Sequence, residues 1–311
     1  MTIKASDPNS IKPLLKELYI PPADSHKGQN GKLLIIGGSK LFHAASIWAA
    51  EMASHMVDMV HYSSIKENNE ILSSIKKKFR NGIVIPRAAI EEYVKEDDAV
   101  LVGPGMLRTE KKMVPTEDYN MKKIEDLEEI EHEGIQTYYL TKFLLSKFPE
   151  KKFILDAGSL QMMDPQWLAK RKAKAIVVPH QKEFMTLFGI DVSKVNLEEK
   201  KKIVRETASE YNCVVLFKGP TDIISDGNET HLVEGGNAGL TKGGSGDVLA
   251  ALTASFNTKN NGLLSAVLAS YLVKSAAEKL FFQSGYWYNT SIVIQTIPEI
   301  LFELYKNARN V

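Results

Sequence analysis

The stretch 235–252, G-G-N-A-G-L-T-K-G-G-S-G-D-V-L-A-A-L, decides how the chain is read. Gly235, Gly236, Gly239, Gly243, Gly244 and Gly246 fall within twelve residues, and an apolar run opens at once with Val248 and Leu249. Glycines let the backbone turn tightly and come close to a ligand. A helix that begins directly after them presents unpaired N–H groups at the positive end of its dipole, which is an anion site. Asp247 stands at that helix start, where a carboxylate is also favoured as a cap. The stretch therefore offers a phosphate cradle with a base beside it, and a plain capping aspartate is the alternative.

Moving outward, short apolar runs alternate with helical patterns. K-L-L-I-I-G-G-S (32–39) is a strand ending in glycines, followed by an Ala- and Met-rich helical run over 44–60. A-V-L-V-G-P-G (99–105), K-F-I-L-D-A-G-S-L (152–160), A-I-V-V-P-H (175–180) and C-V-V-L-F-K-G-P (213–220) read as further strands, with 61–65 and 82–86 as short ones. Helical periodicity marks 10–19, 137–148 and 197–211. Residues 222–233 read as a hairpin turning at Asp226-Gly227, and 248–256, 262–282 and 291–306 as three apolar helices. This alternation predicts an α/β fold with a mostly parallel sheet, whose ligands sit beyond the carboxyl ends of the strands. Those ends carry Gly105, Asp156, His180 and Lys218. No linker or repeat divides the chain, so residues 1–311 read as one domain. Residues 107–136 are rich in charge and poor in apolar anchors, and read as a partly helical surface insertion.

Composition narrows the function. With 44% apolar residues, 25% charged residues and a net charge of +1, the chain has no electrostatic case for binding nucleic acid or an acidic membrane. No apolar run reaches the roughly 18 residues of a membrane span, and the N-terminus lacks a signal-peptide core. The single cysteine, Cys213, excludes an internal disulfide and reads as a small buried residue. A cytoplasmic location is expected. P-loop, dinucleotide-fingerprint, nucleophile-elbow and metal-cage motifs are all absent, so no dedicated protein metal site is expected.

With these residues in view, N-A-G-L-T-K-G-G-S-G-D-V-L-A-A-L resembles the signature of the ADP/ATP-dependent NAD(P)H-hydrate dehydratase family. H-K-G-Q-N-G-K-L-L-I-I-G-G-S, A-V-L-V-G-P-G, F-I-L-D-A-G-S-L, V-V-P-H-Q-K-E-F, V-V-L-F-K-G-P-T-D and I-P-E-I-L match its other segments in order, over about residues 10–305. Three departures stand out: F-H-A-A-S (42–46) for the family's Y-T-G-A-P, Gly158 for its second aspartate in D-A-D, and P-H-Q-K-E for P-H-P-G-E.

The resemblance implies a ribokinase-like three-layer sandwich and a hydro-lyase that repairs hydrated NADH and NADPH (NADHX and NADPHX). ADP or ATP would be the phosphoryl donor, with Mg²⁺ on its phosphates. Matching positions make Asp247 the base, with the N–H groups of Gly244, Ser245 and Gly246 stabilising the transferred phosphoryl. Lys218, Gly219, Pro220, Thr221, Asp222, Asn237 and Gly246 would contact the nucleotide. Ala45, Gly105, His180 and Asp247 would contact the hydrated dinucleotide. Asp156 reads either as a ligand-orienting group or as a turn, and Glu183 either as a holder of metal-bound water or as a helix cap. A homo-oligomer is also implied, a tetramer being one form. The alternatives are a ribokinase-like kinase acting on a vitamin precursor or sugar alcohol, and a non-catalytic nucleotide-binding regulator.

Overall fold

The computed structural model describes residues 1–115 and 121–309. Among these residues ten strands form one sheet: β1 Thr2–Lys4, β2 Lys32–Ile36, β3 Met59–Ser63, β4 Ile83–Val84, β5 Ala99–Val102, β6 Lys152–Leu155, β7 Ile176–Val177, β8 Val214–Phe217, β9 Thr221–Ser225 and β10 Thr230–Glu234. Their order is β1-β10-β9-β8-β7-β6-β5-β2-β3-β4. All neighbours run parallel except β9, which is antiparallel to β8 and to β10. The expected hairpin is this β9–β10 pair. β1 was not legible: its three residues are too few for periodicity, and only pairing with β10 makes them a strand.

Among the described residues twelve α-helices cover the sheet: α1 Pro8–Leu15, α2 Ala44–Ser54, α3 Lys66–Ser74, α4 Ile90–Glu96, α5 Glu133–Lys147, α6 Ala157–Met162, α7 Gln166–Ala169, α8 Gln181–Phe188, α9 Leu197–Glu210, α10 Ser245–Asn257, α11 Gly262–Ser284 and α12 Thr290–Arg309. The alternation within β2 shows the layering. Leu33 and Ile35 pack on the side of α2, α10, α11 and α12, whereas Leu34 and Ile36 pack on the side of α5, α8 and α9. Successive side chains of a strand point to opposite faces, so a strand covered on both sides is apolar throughout. The helical run expected over 44–60 stops at Ser54, and its last residues enter β3. An uninterrupted apolar stretch cannot by itself separate the end of a buried helix from the start of a buried strand.

The described part of 107–136 is anchored more firmly than its charge suggests. Ile124 and Leu127 are fully buried in the core beside α5. Lys111 Nζ donates to the Met163 carbonyl at 3.2 Å, and α5 already begins at Glu133. Cys213 is buried, and the apolar surroundings push its thiol up to about 12, so it is inert.

Candidate active site

The carboxyl ends of β5 to β8 deliver Gly103–Gly105, Asp156, His180 and Lys218 to one rim of the sheet, and the glycine run lies across that rim. A cleft of about 750 Å³ opens there, lined by His180, Lys218, Gly219, Asn237, Gly246 and Lys274 among others. Pro220, Asp222 and Ser245 also border it, whereas Thr221 is drawn into β9 opposite Glu234.

The glycine loop has a definite shape. Gly244 is the N-cap of α10 with φ +102°, and a Cβ there would lie 2.6 Å from the Trp48 ring. Only glycine fits that conformation and space. The loop is tied from outside by Thr290, whose Oγ1 donates to the Gly243 carbonyl at 2.7 Å. Ser245 Oγ bonds back to the Leu240 and Lys242 carbonyls, so its hydroxyl shapes the loop. Asn237 is engaged in the same way. Its Oδ1 accepts from Gly239 N at 2.9 Å and from Tyr288 Oη at 2.7 Å, and its Nδ2 donates to the Ala277 carbonyl at 2.7 Å.

Asp247 lies in the first turn of α10, whose N-cap is Gly244, and its carboxylate accepts from its own backbone N–H. That bond engages one of the free N–H groups of the helix start, so the carboxylate has a local role there in any case. Burial and the neighbouring charges of Asp156 and Glu183, offset by Lys218, push the Asp247 carboxyl up to about 7. Lys218 Nζ sits 3.0 Å from Asp156 Oδ1 and 3.4 Å from Glu183 Oε2. Burial lowers the Lys218 pKa, but these carboxylates outweigh it and hold the ammonium charged. Burial also raises the Asp156 carboxyl, against the pull of Lys218. Three carboxylates thus act on one cation, and a cluster of mutually perturbed charged groups of this kind marks a candidate site.

His180 and Glu183 cap α8 reciprocally. His180 Nδ1 accepts from Lys182 N and Glu183 N at 3.1 and 3.2 Å, and Glu183 Oε2 accepts from His180 N at 2.9 Å. Because Nδ1 is an acceptor, the neutral ring carries its proton on Nε2. Glu183 therefore combines the cap and the ion pair. Ala45, in the first turn of α2, and Gly105, just after β5, meet one another: a Cβ on Gly105 would lie 3.1 Å from that of Ala45. Gly158 has a local reason to replace an aspartate, since a Cβ there would lie 2.3 Å from the Met106 carbonyl. Among the described residues no group of three His, Cys, Asp or Glu side chains is arranged to hold a metal ion.

Residues 33–299 match the family model described as NAD(P)H-hydrate dehydratase. The chain belongs to this family. It is 30% identical over 299 residues to an ADP-dependent (S)-NAD(P)H-hydrate dehydratase of Nitrosopumilus maritimus, covering 92% of this chain and 93% of that one. It is 31% identical over 293 residues to a bifunctional NAD(P)H-hydrate repair enzyme of Methanocaldococcus jannaschii, covering 92% of this chain and 51% of that enzyme. The chain therefore spans about half the length of the bifunctional relatives it matches. An ADP/ATP-dependent NAD(P)H-hydrate dehydratase from Bacillus subtilis, co-crystallised with ATP and Mg²⁺, has a similar fold. Its TM-score is 0.74 at 20% identity, over 96% of this chain and 97% of that one. The expected ribokinase-like three-layer sandwich is the observed one.

Lys274 escaped the sequence reading, although it is the one cation within the apolar run A-S-Y-L-V-K-S-A-A of α11. A lone charge at such a position is the signal that was available.

Proposed function

We propose that this dehydratase-family chain restores NADH and NADPH from their hydrates by transferring a phosphoryl group from ADP or ATP to the ring hydroxyl and eliminating phosphate. The observation that carries this reading is Asp247, held near neutral pKa beside the Lys218–Asp156 pair at the first turn of α10. Asp247 takes the proton of the ring hydroxyl as its oxygen attacks the terminal phosphorus. The N–H groups of Gly244 and Gly246, with the helix dipole, stabilise the charge on the transferred phosphoryl. The C–O bond then breaks with its electron pair leaving on phosphate, and loss of a proton from the adjacent ring carbon restores the double bond.

The cleft lining supports Lys218, Gly219 and Pro220 as the nucleotide side. The Ala45–Gly105 contact and the Nε2–H of His180 support the dinucleotide side. The named activity of the N. maritimus relative supports ADP as donor. Mg²⁺ would neutralise the nucleotide phosphates, held largely by them and by water. The continuous sheet supports one catalytic domain over 1–311. No helix among the described residues is long and apolar enough to cross a membrane, in keeping with a cytoplasmic enzyme. The exposed Phe282, Trp287 and Phe302 support an assembly of identical chains.

Hydrated NADH plus ADP or ATP should regain absorbance at 340 nm with wild type. Asp247→Asn should retain nucleotide binding and lose turnover. A small-molecule kinase would leave the absorbance unchanged, and near-normal turnover by Asp247→Asn would overturn the assigned base.

A further inference from the structure

Lys274 is 4% exposed, yet its ammonium has a full set of partners. Nζ donates to the carbonyls of Gly219, Pro220 and Gly235 at 3.0, 2.9 and 3.3 Å, with Asp222 Oδ1 3.6 Å away. An ammonium has three protons, so none is left for a ligand. Positions one turn to either side act on the same two loops. Ser270 Oγ donates to Asp222 Oδ2 at 2.7 Å, and Glu278 Oε1 accepts from Gly236 N at 3.1 Å. Asp222 Oδ1 in turn accepts from Gly219 N at 2.8 Å. Ser270, Lys274 and Glu278 thus form a polar stripe at i, i+4 and i+8 along one face of α11.

The loops so gripped are two walls of the cleft: the turn after β8, which carries Lys218, and the start of the glycine run after β10. An anion site tolerates no carbonyl oxygens turned toward it. Three that border this cleft are turned instead onto Lys274.

We propose that Lys274 is a positioning residue for the nucleotide, clasping the two walls at fixed separation and withdrawing their carbonyls from the anion. This rests on the reading of the cleft as a nucleotide site. The clasp acts on binding and leaves the chemistry at Asp247 alone. It also recasts Asp222 and Asn237, which the motif match placed among nucleotide contacts: both carboxylate oxygens of the one, and the whole amide of the other, are spent on holding the loops.

Arg171 supplies a control of like chemistry outside the cleft. It is a buried cation whose guanidinium donates to the carbonyls of Leu145, Phe148 and Lys151. The test compares wild type, Lys274→Met, Lys274→Arg and Arg171→Met by calorimetric titration with ADP, and by kcat and KM with hydrated NADH. Lys274→Met should weaken ADP binding and raise its KM about tenfold or more, with kcat at saturating ADP within about threefold. Lys274→Arg should recover part of the affinity. Arg171→Met should lower the melting temperature while leaving ADP affinity within about twofold. Unchanged ADP affinity in Lys274→Met, or an equal loss in Arg171→Met, would overturn the clasp. Should Lys274→Met fail to fold, Glu278→Ala releases the Gly236 tie and is judged by the same criteria. If the wild type itself binds neither ADP nor ATP, the reading of the cleft fails, and the clasp fails with it.

Discussion

In its proposed role as base, Asp247 would couple catalysis to stability. Its carboxyl is pushed up to about 7 in the fold, above the ordinary carboxylate value, so folding favours the protonated form. That contribution is complete below the unfolded pKa and is lost as pH rises through about 7. Asp247→Asn cannot ionise, and should therefore be more stable than wild type at pH 8 by about 1–3 kcal/mol. Thermal unfolding at several pH values checks this, and the gain should vanish below about pH 4. Activity runs the other way, because the base must be unprotonated. The kcat/KM profile should rise with pH through about 7. After burial, the Asp156 charge is the largest influence raising that carboxyl. Asp156→Asn should accordingly move the limb to lower pH, and a limb that stays in place would separate it from Asp247.

At the scale of elements, helix starts and strand ends were legible and their tethers were not. The glycine run feeding an apolar helix is a local pattern, so α10 and its N-terminus could be read directly. Trp48 and Thr290, which hold Gly244 and Gly243, come from α2 and α12, nearly two hundred residues upstream and some fifty downstream. The 107–136 segment shows the converse. Its charge suggested a surface excursion, yet Ile124 and Leu127 reach the core. Leu127→Ala should lower stability by about 2–4 kcal/mol in chemical denaturation. A segment that merely skirts the surface would lose almost nothing.

For the molecule as a whole, the sheet brings the ends of β5 to β8 to one rim, and α10 and α11 close it from one face. Nucleotide binding to that folded arrangement and not to the unfolded chain stabilises by mass action. ADP at a hundredfold excess over its Kd should add about 2.7 kcal/mol, seen as a rise in melting temperature that grows with ADP concentration. Lys218→Met should blunt the rise. An equal rise in that variant would remove Lys218 from the nucleotide side.

By itself the sequence determined the α/β alternation, the both-faces-buried strands and the G-G-S-G-D helix start with its aspartate. Each of these is written in neighbouring residues, through side-chain periodicity and the conformational freedom of glycine. Tertiary structure alone decided what surrounds that start. The three carboxylates around Lys218 come from elements far apart in the chain, and only their meeting there raises the Asp247 carboxyl to about 7. The same holds for Lys274. In sequence it is one lysine in an apolar helix, and it becomes a clasp because two distant loops turn their carbonyls onto it, where an unpaired buried charge would not be tolerated.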